Sequence, residues 1–482
     1  MTTRTIAVEN ALIGPDYRPS GPVALTLEAG RIAAVAPLAA PPPGRRLLAM
    51  PALADAHNHG RPISTTPFAA SGKPLEAWLP RLAAMPPIEA RLGGLGFFGH
   101  AALGGVGSVM IHQTRTSGLV PLADEVRELE QAAGTIGIQA AYAVSVRDRN
   151  PLVYGDGEPV LADMPGPSRA TIEALFRAPA VDPAAHVAMV EAIAAAVERP
   201  GFSVQFGPNG VQWCSDALLA AIAEASARTG RRVHMHLLET KYQRAWADRT
   251  FPDGIVRHLG RLGLLSPRLT LAHGVWARPE ELAELAAAGV TVSVNTSSNL
   301  LLKSGIAPVA AMRAAGVAVA LGLDNSAFDE DDDALRDLRL FKHLQAGWGY
   351  DETVTPQDAL GFAAGNGRRS LGLDGAGTLA PGEPADLLLL DLDRLDPDRI
   401  LPIDPVQLVF TRATKAAIAA LIVAGRTIVE DGRLAGADMA AIDAEVRSRY
   451  RAGMADRAAF LAAWPDLEPR LARFYRDTLG CC

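Results

Sequence analysis

Between residues 47 and 324 the chain repeats one pattern eight times: a short apolar run, a polar end, then a stretch with helical spacing. The runs are 47–56, 106–112, 136–146, 202–207, 233–238, 269–273, 290–295 and 317–324. Helix-like segments at 215–229, 278–288 and 307–315 lie between them. Runs of this length flanked by turn residues read as strands buried on both faces, and strand–helix alternation builds a parallel sheet. Eight such units predict an α/β fold, a (β/α)8 TIM-like barrel. In that architecture side chains at the carboxyl ends of the strands, and the loops that follow, form the site.

The two ends of the chain read differently. Residues 6–8, 23–27 and 31–35 are short strand candidates separated by turns, and Pro41-Pro42-Pro43-Gly44 breaks the chain before the first barrel run. After 376, a turn-rich lead into 387–391, a run at 417–423 and a hairpin at 425–432 look like more strands. Neither end can bury a core alone. The expected division is a β domain from 1–47 and 376–435 forming a small composite β-sandwich, a barrel at 48–375, and C-terminal helices at 436–482. The helices pack on the barrel or on a neighbouring subunit of an expected homo-oligomer.

A length of 482 residues, 49% hydrophobic and 21% charged, suits a globular enzyme with a large core. The net charge of −7 gives no basic footprint for nucleic acid or an anionic membrane, so the expected partner is a small-molecule substrate. No apolar run approaches a membrane span. Cys214, Cys481 and Cys482 make no disulfide framework, and Met1-Thr2-Thr3-Arg4-Thr5-Ile6 lacks an apolar leader core. A cytoplasmic protein is expected.

Chemistry-bearing side chains sit where the runs end. His57 and His59 alternate on one strand face, so both can approach one divalent ion. Alone the pair would be no more than a polar strand end. His236 ends the fifth run, with His234 lower on the wall or in the substrate pocket; His273 ends the sixth and Asp324 the eighth. Imidazoles plus a carboxylate suit one Zn²⁺ or Fe²⁺ with a position open for water, whose pKa the ion draws toward neutrality. Asp324 could ligate the ion and take a proton from that water. Glu239, three residues past His236, could protonate a leaving group without touching metal.

His57-Asn58-His59, His236-Leu237-Leu238-Glu239, Leu271-Ala272-His273 and Gly322-Leu323-Asp324 resemble the amidohydrolase superfamily. The resemblance is nearest to its mononuclear deaminase branch, with cytosine deaminase, the methylthioadenosine/S-adenosylhomocysteine deaminases and chlorohydrolase-like enzymes. Gly207-Pro208-Asn209 with Cys214-Ser215, and Ser298-Asn299 ahead of Ser304-Gly305, also resemble it. The resemblance implies His57, His59, His236 and Asp324 as metal ligands, Glu239 as proton shuttle, and His273 as the group that polarises substrate or holds hydroxide. Binuclear branches carry a carboxylated lysine at the end of strand four, and 202–214 contains no lysine. Asn209 stands where nucleoside-type members often have histidine, Asn295-Thr296-Ser297 where many have Cys-Pro, and Asn325 where glycine is usual.

Further candidates for substrate contact are Gln113, Arg115, Arg147, Asn209, Gln212, Asn295 and Asn325 at predicted strand ends. Trp213, Trp276 and Phe328 could wall a flat ring. The expected activity is metal-dependent C–N hydrolysis of a cyclic amidine or amide, most simply deamination of a heteroaromatic ring. Hydrolysis of an exocyclic amide, urea, carbamate or halide is the alternative on this scaffold. A metal-free structural relative is the reading from outside enzymology.

Overall fold

A computed structural model describes residues 3–479. Eight parallel strands form one sheet in sequential order: β1 (Leu53–Asn58), β2 (Val106–His112), β3 (Gln139–Val146), β4 (Phe202–Pro208), β5 (Val233–Leu237), β6 (Leu269–His273), β7 (Thr291–Val294) and β8 (Ala318–Leu321). Every residue of β1, β2, β5, β6 and β7 is buried, which is why these segments are apolar without alternation. The sheet closes into the predicted (β/α)8 barrel through a parallel bridge between Asn58 and Asp324. The Asp324 amide donates to the His57 carbonyl at 2.7 Å, and the His59 amide donates to the Asp324 carbonyl at 3.2 Å. The seam of the barrel is therefore made by the candidate ligands' own backbone.

Gly322 lets the seam close. A Cβ there would lie 2.5 Å from the Asn295 Oδ1, 2.8 Å from the Ser293 Oγ and 2.9 Å from the His57 amide nitrogen. The last contact is backbone and cannot swing away. Gly322→Ala is expected to destabilise by about 1–3 kcal/mol, the usual cost of overpacking. A thermal midpoint equal to wild type would show that the seam has slack.

Two runs are divided differently from the expectation. Segment 47–56 is two strands: Leu47–Pro51 pairs antiparallel with Leu387–Asp391 and parallel with Asn10–Ile13, and β1 starts afresh at Leu53. Both halves are buried and apolar, so hydropathy could not separate their partners. In 136–146, Ile136 is the last residue of the helix Leu122–Ile136; Gly137, at φ 91°, ends it before β3 begins.

The chain ends form two further sheets, one of three strands and one of seven. Leu387 and Leu389 face a core with Val8, Leu25, Ile32 and Ile422, while Leu388 and Leu390 join the barrel's core. One strand thus buries alternate side chains against two layers, which makes the composite sandwich and docks it on the barrel. The helices Met439–Gly453 and Ala458–Phe474 pack on the barrel's outer helices Ala90–Leu103 and Gly166–Leu175. Among the described residues no helix is long and apolar enough to cross a membrane. Cys214 is buried and unpaired; Cys481 and Cys482 lie outside the described residues.

Candidate active site

The ligand-type side chains converge at the carboxyl end of the barrel. His57, His59 and Asp324 each offer a ligand atom within 4.8 Å of the others, and so do His57, His236 and His273. The His59 Nε2 is 2.9 Å and the His57 Nε2 3.3 Å from the Asp324 Oδ1. Yet the His57 Nε2 and Asp324 Oδ1 are both buried without a well-formed hydrogen bond. Lone pairs aimed at a common point and left unsatisfied in a dry interior are costly, and a cation relieves them. The donor set, neutral imidazoles plus a carboxylate, fits a divalent ion.

Each histidine is held by its other nitrogen. The His59 Nδ1 meets the His112 carbonyl at 2.7 Å, and the His236 Nδ1 meets the Asn209 carbonyl at 2.8 Å. The His57 Nδ1 faces the His234 Nε2 at 2.7 Å, and the His273 Nδ1 faces the Asn299 Oδ1 at 2.9 Å. Such contacts orient the ring so that Nε2 points inward. Asp55, buried below, accepts from the Leu323 amide (2.9 Å), the Asn58 side chain (2.8 Å) and the His57 amide (3.3 Å), tying β1 to the segment that carries Asp324. Burial pushes its carboxyl up to about 8 despite these donors.

Electrostatics sort the groups by role. Burial lowers the His57 imidazole to about 4, and burial also holds His234 and His236 well below their usual range, so the rings keep the lone pairs a metal needs. Burial would raise the Asp324 carboxyl, but its interactions with His59 and His57 outweigh it and hold Asp324 well below the usual carboxylate range. Glu239 goes the other way. Burial, then the charges of Asp324 and Glu76, raise it well above the carboxylate range, against one opposing bond from the Ser304 hydroxyl at 3.2 Å. Two carboxyls in one pocket are thereby shifted in opposite directions. The Glu239 Oε2 lies 3.6 Å from the His273 Nε2.

Leu238 (φ 50°), His273 (φ 78°) and Asp324 (φ 63°) end three strand segments in the left-handed region. Non-glycine residues there cost on the order of 1–3 kcal/mol each and gather at functional sites.

A cavity of about 120 Å³ opens over His59, His236, Glu239, His273 and Asp324. Of the candidates for substrate contact, Arg115, Arg147, Asn209 and Trp213 line it. The other candidates sit elsewhere. His234 is buried beneath His57. Gln113 is turned to Glu125 (3.0 Å) and to the Tyr142 hydroxyl (3.1 Å). Gln212 is buried off the cavity, and Asn295 lies 3.3 Å from the His273 Nδ1. Trp276 is partly exposed and donates to the Ser304 carbonyl at 2.8 Å; Phe328 is exposed; Asn325 accepts from Arg61. The residues that sequence reading missed are His112, whose ring packs 4.9 Å from that of His236, and Leu75, Trp78 and Leu82, which wall the cavity. His112 ends an apolar run as His273 does, and that was its signal; the wall residues carried none.

Residues 48–428 match the Amidohydrolase family. The chain belongs to that family. A 5'-deoxyadenosine deaminase of Methanothermobacter thermautotrophicus is 31% identical over 397 residues, 81% of this chain and 84% of the relative. An 8-oxoguanine deaminase of Pseudomonas aeruginosa is 36% identical over 231 residues, a match spanning about half of each chain (48% and 51%). The crystal structure of an adenosine deaminase from Xanthomonas campestris with bound zinc superimposes with a TM-score of 0.75 at 22% identity, covering 94% of this chain and 98% of that one, a likeness of fold. The chain is thus an enzyme of C–N bond hydrolysis.

Proposed function

We propose that this amidohydrolase deaminates a heteroaromatic ring, using one divalent ion, Zn²⁺ or Fe²⁺. The observation that carries the reading is geometric: His57, His59, His236 and Asp324 converge at the end of the barrel, and the cavity over them also holds the Glu239 carboxyl, 3.6 Å from the His273 Nε2. His57, His59, His236 and Asp324 would hold the ion, and no lysine lines the cavity to bridge a second one. A divalent ion supplies a Lewis acid and an acidified water at neutral pH. The chain's own groups do the rest. Trp78, Trp213 and Leu82 offer flat apolar walls for the ring. The His273 Nε2, with its Nδ1 held by Asn299, faces the reacting carbon's substituents. Glu239 carries a proton to the departing nitrogen, so ammonia leaves as the neutral amine while the ring gains an oxygen. The deaminase relatives support this choice of leaving group.

Purines, pterins, pyrimidines, triazines and ureas assayed for ammonia release, alongside elemental analysis, test the proposal. Ammonia from one ring class and about one ion per chain are expected; release of chloride or a substituted amine alone, or two tightly bound ions, would overturn it. His273→Asn should keep most of the metal and lose most of the turnover. Metal lost in step with activity would make His273 a ligand instead.

A further inference from the structure

A second cavity, of about 360 Å³, adjoins the active-site cavity and shares His59, Leu82, Thr114 and Arg115 with it. Arg61 and Arg457 line its interior with Arg115 at the shared edge. Among the described residues none of these three guanidiniums has a carboxylate within 4.0 Å, although the chain as a whole carries 53 acidic against 46 basic side chains. Arg61 is occupied only by the Asn325 side chain and by the Trp78 ring, 4.9 Å beneath it; Arg115 donates to the Leu82 carbonyl at 2.8 Å. The Nε of Arg457 is buried with no partner. The one carboxylate lining the cavity, Glu89, is turned to Arg449 at 3.5 Å.

Three cations gathered around one concavity with no carboxylate in contact repel one another. Burial, then the charges of Arg457 and Arg147, lower the Arg115 guanidinium. Such an arrangement is unfavourable empty and favourable around an oxyanion, which a guanidinium fork binds through paired N–H donors. Tyr450 on the same wall adds a neutral polar side chain. His59 borders both cavities, so a molecule seated at the metal site reaches the arginines without leaving the enzyme.

We propose that this second cavity is an oxyanion pocket that takes a carboxylate or phosphate arm of the substrate whose ring is hydrolysed at the metal site. The assignment rests on the ring-hydrolysis reading above and narrows its substrate class to acidic, arm-bearing rings.

Titration calorimetry of the metal-loaded enzyme with malonate and with inorganic phosphate tests the pocket without turnover. Binding is expected, weakened at least about tenfold in Arg61→Ala and in Arg457→Ala and unchanged in the exposed control Arg426→Ala. Arg457 lies between two C-terminal helices, so its variant remains informative if Arg61→Ala, next to the metal site, fails to fold. Whichever of the two ions binds the more tightly identifies the arm. No binding, or equal binding in Arg457→Ala, overturns the pocket. Paired ring substrates with and without the arm test the connection: kcat/KM at least tenfold higher with the arm, through KM and lost in Arg457→Ala, is expected. Free oxyanion binding with no advantage for the arm overturns the substrate assignment. Oxyanion binding with no ring turned over places the failure in the ring-hydrolysis reading, while neutral rings turned over without oxyanion binding place it in the pocket.

Discussion

Asp324→Asn is expected to remove turnover and most of the bound metal while leaving the fold intact. Asparagine tolerates the left-handed conformation that residue 324 adopts, so the backbone bonds to His57 and His59 that close the barrel persist. What changes is charge. The Oδ1 that now faces two imidazole Nε2 atoms at 2.9 and 3.3 Å becomes an amide atom, and the Ser298 hydroxyl loses an ionised acceptor. Outer-shell partners of a metal site typically contribute about 10–100-fold in metal affinity, so loss of a direct carboxylate ligand is expected to exceed that range. Chelator-competition titration, elemental analysis and kcat on one preparation, with circular dichroism to confirm folding, give the answer. A metal-replete, active Asp324→Asn enzyme would refute the site. Asp324→Ala is the poorer test, because alanine at φ 63° strains the seam as well.

Glu239→Gln is expected to keep metal, fold and substrate affinity and to reduce kcat by about 10²–10⁴-fold, the usual contribution of a general acid–base group. Glutamine preserves the size of the side chain and can still meet the Ser304 hydroxyl, but it cannot cycle a proton. The backbone of Glu239 is pinned separately, its amide donating to the Gln243 Oε1 at 2.8 Å, so the substitution leaves the loop in place. The sign of the pH effect follows from the raised Glu239 carboxyl. It keeps its proton above the usual carboxylate range and loses it as pH climbs through the raised value. The limb of kcat/KM that reports this ionisation should disappear in Glu239→Gln. An unchanged kcat would reduce Glu239 to a structural carboxyl and move the leaving group toward one that needs no proton, such as halide.

The barrel was legible because its cause is local and repeated. A strand covered on both faces must be apolar throughout, and eight such runs separated by helical spacing admit few architectures. The ligand-type residues were legible for the same reason, each ending a run. Boundaries were less so: the 47–56 run hid a change of sheet at Ala52, whose amide bonds to the Asp386 carbonyl instead of a barrel strand.

Sequence alone thus determined the architecture and the chemical inventory: two histidines at the first strand end, His236 and Glu239 after the fifth, His273, and Asp324. Tertiary structure decided which of them meet and what surrounds them. Strand parity puts His234 and His236 on one face but says nothing of height; the Asn209 carbonyl holds His236 at the cavity wall, while His234 is spent supporting His57. Gln113 and Asn325 stand at strand ends as polar as any ligand, yet Glu125 and Arg61 claim them. Arg61, Arg115 and Arg457 come from the first strand's loop, the second strand's loop and the C-terminal helices, and only closure of the barrel with those helices packed against it encloses one cavity among them. The physical reason is common to all three cases. Periodicity encodes which face a side chain takes, whereas its depth and its partner depend on groups brought up by other elements, from 12 residues away for Gln113 and Glu125 to 264 for Arg61 and Asn325.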